Sequence, residues 1–275
     1  DDAEALCECL KEGRIAKASA GGTYMHKGLK IFLGILGGLA AAVLLTWLIA
    51  PGLPVRIIAN RMFSYQDTVL GDYPYAEIGT LSDYKPVTEY GLQLMLPQSA
   101  EKLDKSSSLK IYSNKDSKPD DEETLAVAFL DHSTAEDMEL IGENGFTQEQ
   151  FDRGMRGIRR AKPNDNYECW DMLYNVTPSD YNVRKHGTWK FYLQLMRMKD
   201  ELYAGVGEVG YHFENDTAKG FVFEYGKPGA DSSNYALLIE LYGKDDLNRC
   251  HGALIKSKDY DMLKKIANSA QVVPE

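Results

Sequence analysis

The sequence predicts an α+β protein in which a single N-terminal transmembrane helix precedes a mainly antiparallel sheet packed with helices. Two observations lead to this prediction. Residues 31–55 contain no charged side chain. From residue 87 onward, segments with alternating apolar residues give way to segments of helical periodicity, and alternating segments then return. That order of strands, helices and hairpin-connected strands is typical of the α+β class.

The apolar segment is long enough to cross a membrane. As a helix, residues 29–50 would be roughly 33 Å long, and a bilayer core is about 30 Å thick. We predict a transmembrane helix over residues 29–55, preceded by a short cytoplasmic segment over residues 1–28. A core helix and a signal peptide are the alternatives, but the run has no polar stripe and exceeds the apolar core of a signal peptide.

Basic residues beside the segment predict its orientation. Lys17, Lys27 and Lys30 precede it, and Arg56 and Arg61 follow it. The excess on the N-terminal side places the N-terminus in the cytoplasm and the C-terminal domain outside it. Membrane lipid around residues 29–55 is therefore an expected partner.

Small residues four apart in this segment could let two such helices pack closely. The residues with this spacing are Gly34, Gly38 and Ala42. A second membrane span is thus one possible partner.

Residues 56–86 are rich in aromatic side chains and are predicted to form a connector. An extracytoplasmic α+β domain follows over residues 87–275. It begins with three alternating segments, the pattern of strands with one buried face. These segments are residues 92–96, 108–113 and 124–130.

Helical periodicity follows these strands. Thr147 and Gln150 form a capping box, and Phe146 can contact Phe151 as a hydrophobic staple. Further helices are predicted over residues 167–176 and 188–203. The buried face of the latter is expected to carry Trp189, Tyr192, Leu193 and Met196.

The last part of the chain returns to strands and ends in a helix. Alternating apolar residues predict strands over 221–225, 237–241 and 251–257. An amphipathic helix is predicted over residues 258–270. Its expected inner face carries Leu263, Ile266, Ala267 and Ala270.

Charge and composition restrict the partners. The net charge is −10, and the charges of residues 1–55 cancel, so the domain is acidic and should not bind nucleic acid. The chain contains 17 tyrosines. Tyrosine suits binding surfaces, so the outer domain is one candidate surface for a protein partner, but packing of the rings in its own core and edges is favoured over this.

Cysteines offer one candidate cross-link. Cys169 and Cys250 both belong to the outer domain and could form a disulfide in an oxidising compartment. The pair Cys7 and Cys9 lacks the spacing of a zinc site. The sequence therefore predicts no metal and no cofactor.

The sequence matches to catalytic and cofactor motifs lack the structural context that those motifs require. Gly205, Gly207 and Gly210 fit a dinucleotide fingerprint, but a predicted helix precedes them and a strand follows, the reverse of the order required. No nucleophile–base set is visible, so no catalytic residue is predicted. If the domain were a hydrolase, Asp131, His132 and His251 would be the first residues to examine.

The C-terminal stretches GFVFEYGKP, YALLIELYGKDD and SKDYDMLKKIANSA resemble the ending of uncharacterised membrane-anchored proteins of clostridial-type bacteria. The order of elements over about the last 185 residues also resembles the PsbP/Mog1-like α/β sandwich. This resemblance implies a binding or accessory module on the outer face of a bacterial membrane, and it transfers no functional residue.

Three functions remain open. The first is a single-pass membrane protein with a non-catalytic extracytoplasmic binding or accessory domain. The second is a structural or accessory subunit of a larger membrane complex. The third is a membrane-anchored hydrolase with an unrecognised site.

Overall fold

The computed structural model describes residues 27–74, 81–103, 109–114, 125–131, 140–141, 145–185, 187–206, 209–225 and 235–274. The chain divides into two compact units, Asp1–Pro51 and Gly52–Glu275. The α+β class is confirmed, and the described residues of the second unit contain one large mixed sheet and one small sheet.

The first unit contains helix α1, Lys27–Ile49. Within the described ranges, no single helix is long and apolar enough to cross a membrane. The helix pair Ile35–Ile49 and Leu53–Met62, which is bent at the break between them, meets the length and composition requirement only. The transmembrane helix therefore stays a prediction. Helix α1 also ends before the predicted boundary at residue 55, because Pro51 has no N–H to continue the hydrogen-bond ladder.

A helix that the sequence analysis did not predict starts the second unit. Helix α2 covers Leu53–Met62, and Pro54 lies in its first turn. Proline is tolerated there because the first N–H groups of a helix have no partner within it.

The large sheet has eight strands in the order β1-β7-β8-β9-β10-β6-β5-β4. Strand β1 runs parallel to β7, and the other neighbours are antiparallel. The small sheet has the order β11-β3-β2. The strands are β1 (Gly71–Asp72), β2 (Tyr84–Glu89), β3 (Leu92–Pro97), β4 (Ala100–Leu103), β5 (Leu109–Asn114), β6 (Leu125–Leu130), β7 (Val209–Glu214), β8 (Ala218–Tyr225), β9 (Tyr235–Gly243), β10 (Asp246–Ser257) and β11 (Gln271–Val272).

Four more helices lie in the described part of the second unit. Helix α3 (Gln148–Met155) begins with the predicted capping box of Thr147 and Gln150. The others are α4 (Asn166–Asn175), α5 (Trp189–Val206) and α6 (Tyr260–Asn268). A short 3₁₀ turn, Pro178–Asp180, follows α4.

Alternation along the strands produces two cores on the two faces of the large sheet. On one face, the small sheet and α6 bury residues such as Leu94, Val127 and Ile266. On the other, α4 and α5 cover Phe221 and Phe223 of β8. Helices α2 and α3 pack with α4 and α5 in a further cluster. The sheet thus forms the centre of the unit, with α6 and the small sheet on one face and α4 and α5 on the other.

One predicted core residue lies at the surface. Tyr192 and Met196 of α5 are fully buried, but Trp189 is 43% exposed. Trp189 is the first residue of α5. At this end of the helix, Phe191 is buried in place of Trp189. The helical period was therefore right for most of α5 and wrong at its first residue.

Candidate functional site

A histidine and a carboxylate meet where α4 approaches β7. Nε2 of His212 lies 2.6 Å from Oδ1 of Asp171, and both side chains are about one-third exposed. Asp171 and Asn175 are four residues apart on α4 and so share one helix face. His212 projects from β7 toward that face. The three side chains form a polar site that solvent can reach.

Asn175 organises this site. Its Nδ2 donates to Oδ1 of Asp171 at 2.9 Å and to the Asp171 carbonyl at 3.0 Å. Its Oδ1 accepts the backbone N–H of Leu70 at 2.9 Å. Asn175 is buried, so these bonds satisfy groups that water could not easily reach. The same residue therefore fixes the carboxylate and attaches the segment before β1 to the domain.

The hydrogen bonds of His212 determine its proton chemistry. Because a carboxylate only accepts, Nε2 donates to Asp171, and a neutral ring then keeps its lone pair on Nδ1. Within the described ranges, no serine, threonine or cysteine hydrogen-bonds to His212; its Nε2 donates to Asp171 and lies 3.2 Å from Nδ2 of Asn175. The Asp171–His212 pair can accept a proton, or accept a hydrogen bond from a donor group. Within the described residues it activates no nucleophile.

Acidic and aromatic side chains surround the pair. The Tyr167 ring stacks on Phe221 at 5.2 Å, and Nζ of Lys219 lies 4.0 Å from the Tyr167 ring centroid. Burial and, to a smaller extent, the nearby carboxylates of Asp171 and Glu214 raise the pKa of Tyr167 to about 12. This surface, which we call the α4–β7 rim, thus carries the carboxylates of Asp171 and Glu214 beside the Tyr167 ring, and Glu214 pairs with Lys244 at 2.9 Å.

Two of the residues first suspected for a hydrolase lie together elsewhere. Gly252 of β10 is opposite Leu130 of β6, so His251 and Asp131 follow as the next facing positions on the same side of the sheet. His251 Nδ1 donates to the Tyr90 carbonyl at 2.8 Å. His132 lies outside the described residues.

The turn beside His251 has an unusual backbone. Tyr90 has a φ of 51° and Gly91 a φ of 76°, the pattern of a two-residue hairpin turn between β2 and β3. A Cβ on Gly91 would lie 2.7 Å from Cε1 of His251. Glycine is thus needed both for the backbone conformation and for the close approach of the imidazole. Tyr90 is a non-glycine residue at positive φ, and this backbone strain costs of order 1 kcal/mol. The strain and the imidazole of His251 together make this turn a second polar site of interest.

A buried lysine was missed by the sequence analysis. Lys199 of α5 is fully buried, and its ammonium donates to the carbonyls of Thr68 at 2.5 Å, Val176 at 2.6 Å and Gln66 at 3.3 Å. Burial and, to a smaller extent, the nearby Arg160 lower its pKa to about 8. The spacing of Lys199 from the buried Met196 and Tyr203 was the signal that could have identified it.

The two predicted cysteines are not joined by a disulfide in the structure, where Cys169 is buried and Cys250 is partly buried. Burial raises the pKa of Cys169 to about 11, and burial also raises that of Cys250. High thiol pKa values make both unreactive as nucleophiles. The disulfide between them stays a prediction.

The residues predicted for helix pairing lie in α1. A Cβ added to Gly38 would meet no atom within 4 Å, and the carbonyl of Ala42 accepts the Thr46 hydroxyl at 2.8 Å. Gly34 is part of the same helix. Pairing through these residues stays a prediction.

The glycine pattern has the reversed context that the sequence predicted. Gly205 lies near the end of α5 and Gly210 lies on β7, while Gly207 falls outside the described residues. The described residues also contain no group of three or more His, Cys, Asp or Glu placed to hold a metal ion.

Comparison with protein-family models finds no family that matches this chain. Comparison with curated proteins finds no match either. The resemblance to membrane-anchored clostridial-type proteins and to the PsbP/Mog1-like sandwich therefore stays a prediction.

Proposed function

We propose that this chain is a single-pass membrane-anchored protein whose extracytoplasmic domain is a non-catalytic binding or accessory module. The supporting observation is the surface of α1. Its 23 residues would extend about 34 Å, and its large apolar side chains from Ile35 to Ile49 are all more than half exposed to solvent. Such a surface is unfavourable in water and favourable in lipid.

The α4–β7 rim supports a binding role for the domain. It combines the electronegative side chains of Asp171 and Glu214 with the Tyr167 ring. Lysines of the chain already contact this rim, Lys219 over the Tyr167 ring and Lys244 at Glu214, so a basic group on a partner would exchange with them at the carboxylates. We therefore propose that a protein partner presents lysine or arginine to this rim.

Membrane fractionation tests the anchor. The full chain should stay in the pellet after alkaline carbonate washing of bacterial membranes. The double variant Leu39→Arg/Val43→Arg should appear in the supernatant, because each arginine at a helix centre costs about 2.5–3.5 kcal/mol of insertion. The control is Val69→Arg, an exposed apolar position outside α1 and α2. Release of the unmodified chain by carbonate would contradict the anchor.

Native mass analysis after detergent extraction tests the binding role. We expect a co-purifying protein that is lost from Asp171→Asn/Glu214→Gln and retained by the control variant Glu201→Gln on the exposed part of α5. A chain that is always alone, even after cross-linking in the membrane, would count against a binding module. A partner retained by both variants but lost when Gly34 and Gly38 are replaced by leucine would favour the larger-complex alternative.

The hydrolase alternative is supported by the same-face positions of Asp131 and His251 and by the Asp171–His212 pair. Assays of the full chain against nitrophenyl esters and phosphoesters would test it. If only one of the variants His212→Gln and His251→Gln loses turnover, the substituted histidine identifies the active site. Equal turnover in both variants would remove these histidines from the mechanism.

A further inference from the structure

Helix α2 has an outward face that is apolar rather than polar. Ala59 is buried in the helical cluster, and the exposed positions lie on the other side of the helix. Among them, Ile57 is 52% exposed, Ile58 is 51% exposed and Met62 is 64% exposed. A helix packed on a domain normally turns its apolar stripe inward and its polar residues outward. Helix α2 therefore presents an apolar surface that its own domain does not cover within the described residues.

The charged residues of α2 itself are both positive. Arg56 and Arg61 belong to α2, and no acidic residue occurs between Glu12 and Asp67. The chain as a whole has a net charge of −10, so its net negative charge lies entirely after residue 66. Arginine beside exposed isoleucine and methionine is the composition of helices that lie at a lipid headgroup boundary.

The chain also limits how far α2 can lie from the end of α1. Ile49 ends α1 and Leu53 begins α2. A chain advances at most about 3.6 Å per residue, so the two residues are no more than about 14 Å apart. If α1 spans the bilayer, α2 must start within the headgroup region or just outside it.

We propose that the outward face of α2, formed by Ile57, Ile58, Arg61 and Met62, binds the lipid bilayer as an interfacial helix and holds the domain against the membrane surface. The apolar side chains would enter the boundary between headgroups and acyl chains. The arginine stem would follow them while its guanidinium reaches anionic headgroups. This inference rests on the proposed anchor, since the anchor brings α2 to the surface.

Fluorescence quenching in vesicles tests the proposal. The full chain, with a coumarin amino acid in place of Ile58 or, in a second protein, Met62, is reconstituted in phosphatidylcholine vesicles containing a minority of phosphatidylglycerol. The matched control carries the coumarin in place of Leu254, an apolar residue of β10 that is 40% exposed. A quencher attached to the upper acyl chain should reduce the emission at positions 58 and 62 at least about twofold more than at position 254.

A variant separates insertion from simple proximity. Ile57→Asp is introduced into the protein that carries the coumarin at position 62. It should reduce the quenching to less than about half of that seen without the substitution. Its thermal unfolding should match that of the reporter protein, because the substituted side chain faces solvent. Weak and equal quenching at positions 58, 62 and 254 would overturn the proposal. Cross-linking that shows a second copy of the chain covering α2 would also overturn it.

Carbonate washing of the same vesicles distinguishes the two proposals. A chain that resists carbonate but shows no quenching at position 58 would retain the anchor and refute the interfacial helix. A chain released by carbonate would refute the anchor itself.

Discussion

Replacing Lys199 by methionine should be one of the most damaging single changes to the domain. Lys199 is fully buried, and its three donors reach the carbonyls of Gln66, Thr68 and Val176. One side chain thus joins the segment after α2 to the C-terminal end of α4. Methionine fills a similar volume but leaves three buried acceptors without a donor.

The magnitude follows from two opposing contributions. Hydrogen bonds to a charged donor contribute about 2 kcal/mol each, or about 6 kcal/mol for three. Burial of the ammonium works against them: its pKa falls from 10.5 to about 8, a penalty of about 3 kcal/mol at 1.36 kcal/mol per pKa unit. The net loss of unfolding free energy in Lys199→Met is therefore about 3 kcal/mol. For a domain of this size, the melting temperature should fall by about 6–12 °C.

Thermal unfolding of the full chain in detergent, followed by circular dichroism, measures this loss. The control is Lys190→Met, an exposed lysine of the same helix, which should change stability by less than about 0.5 kcal/mol. A loss below about 1 kcal/mol in Lys199→Met, or equal losses in both variants, would refute the assignment of Lys199 as the link between these segments.

Two further predictions concern stability. Burial raises the pKa of Glu240 from 4.5 to about 7, so the folded state holds a proton that the unfolded state releases between these values, and stability should fall as the pH rises through this window. Glu240→Gln should therefore match the wild type near pH 4 and exceed it at pH 8 by up to about 3 kcal/mol in thermal melts; a difference that is the same at both pH values, or that Glu201→Gln reproduces, would contradict this. Gly91→Ala should destabilise the domain by about 2–3 kcal/mol, because positive φ and the His251 ring both oppose a Cβ. Gly187→Ala, with a φ of 80° and open space around its Cβ, should cost only about 1 kcal/mol in the same melts, and equal losses would refute the steric argument.

Local patterns predicted most elements of the fold but not their partners. The capping box at Thr147 and the alternation in β3 and β6 are set by neighbouring residues, so they could be read directly. Helix α2 was missed because two prolines close to its start indicated a break. Only the placement of Pro54 in the first helical turn made that residue compatible with a new helix.

The polar sites show a different limit. Asp171 and Asn175 share a helix face that periodicity could have indicated. Their partner His212 lies 41 residues away, on a strand whose position depends on sheet order. No local signal reports that distance. The same holds for Lys199, whose acceptors come from two separate segments.

The sequence by itself determined the apolar segment of α1, the acidic character of the domain and the α+β order of elements, because each depends on residues that are close together in the chain. Tertiary structure alone decided that Asp171 meets His212, that the pairing of β6 with β10 brings Asp131 and His251 to its end, and that α2 turns isoleucine and methionine outward. These arrangements depend on which strands pair and which helix faces are buried, and both are settled by packing over the whole domain.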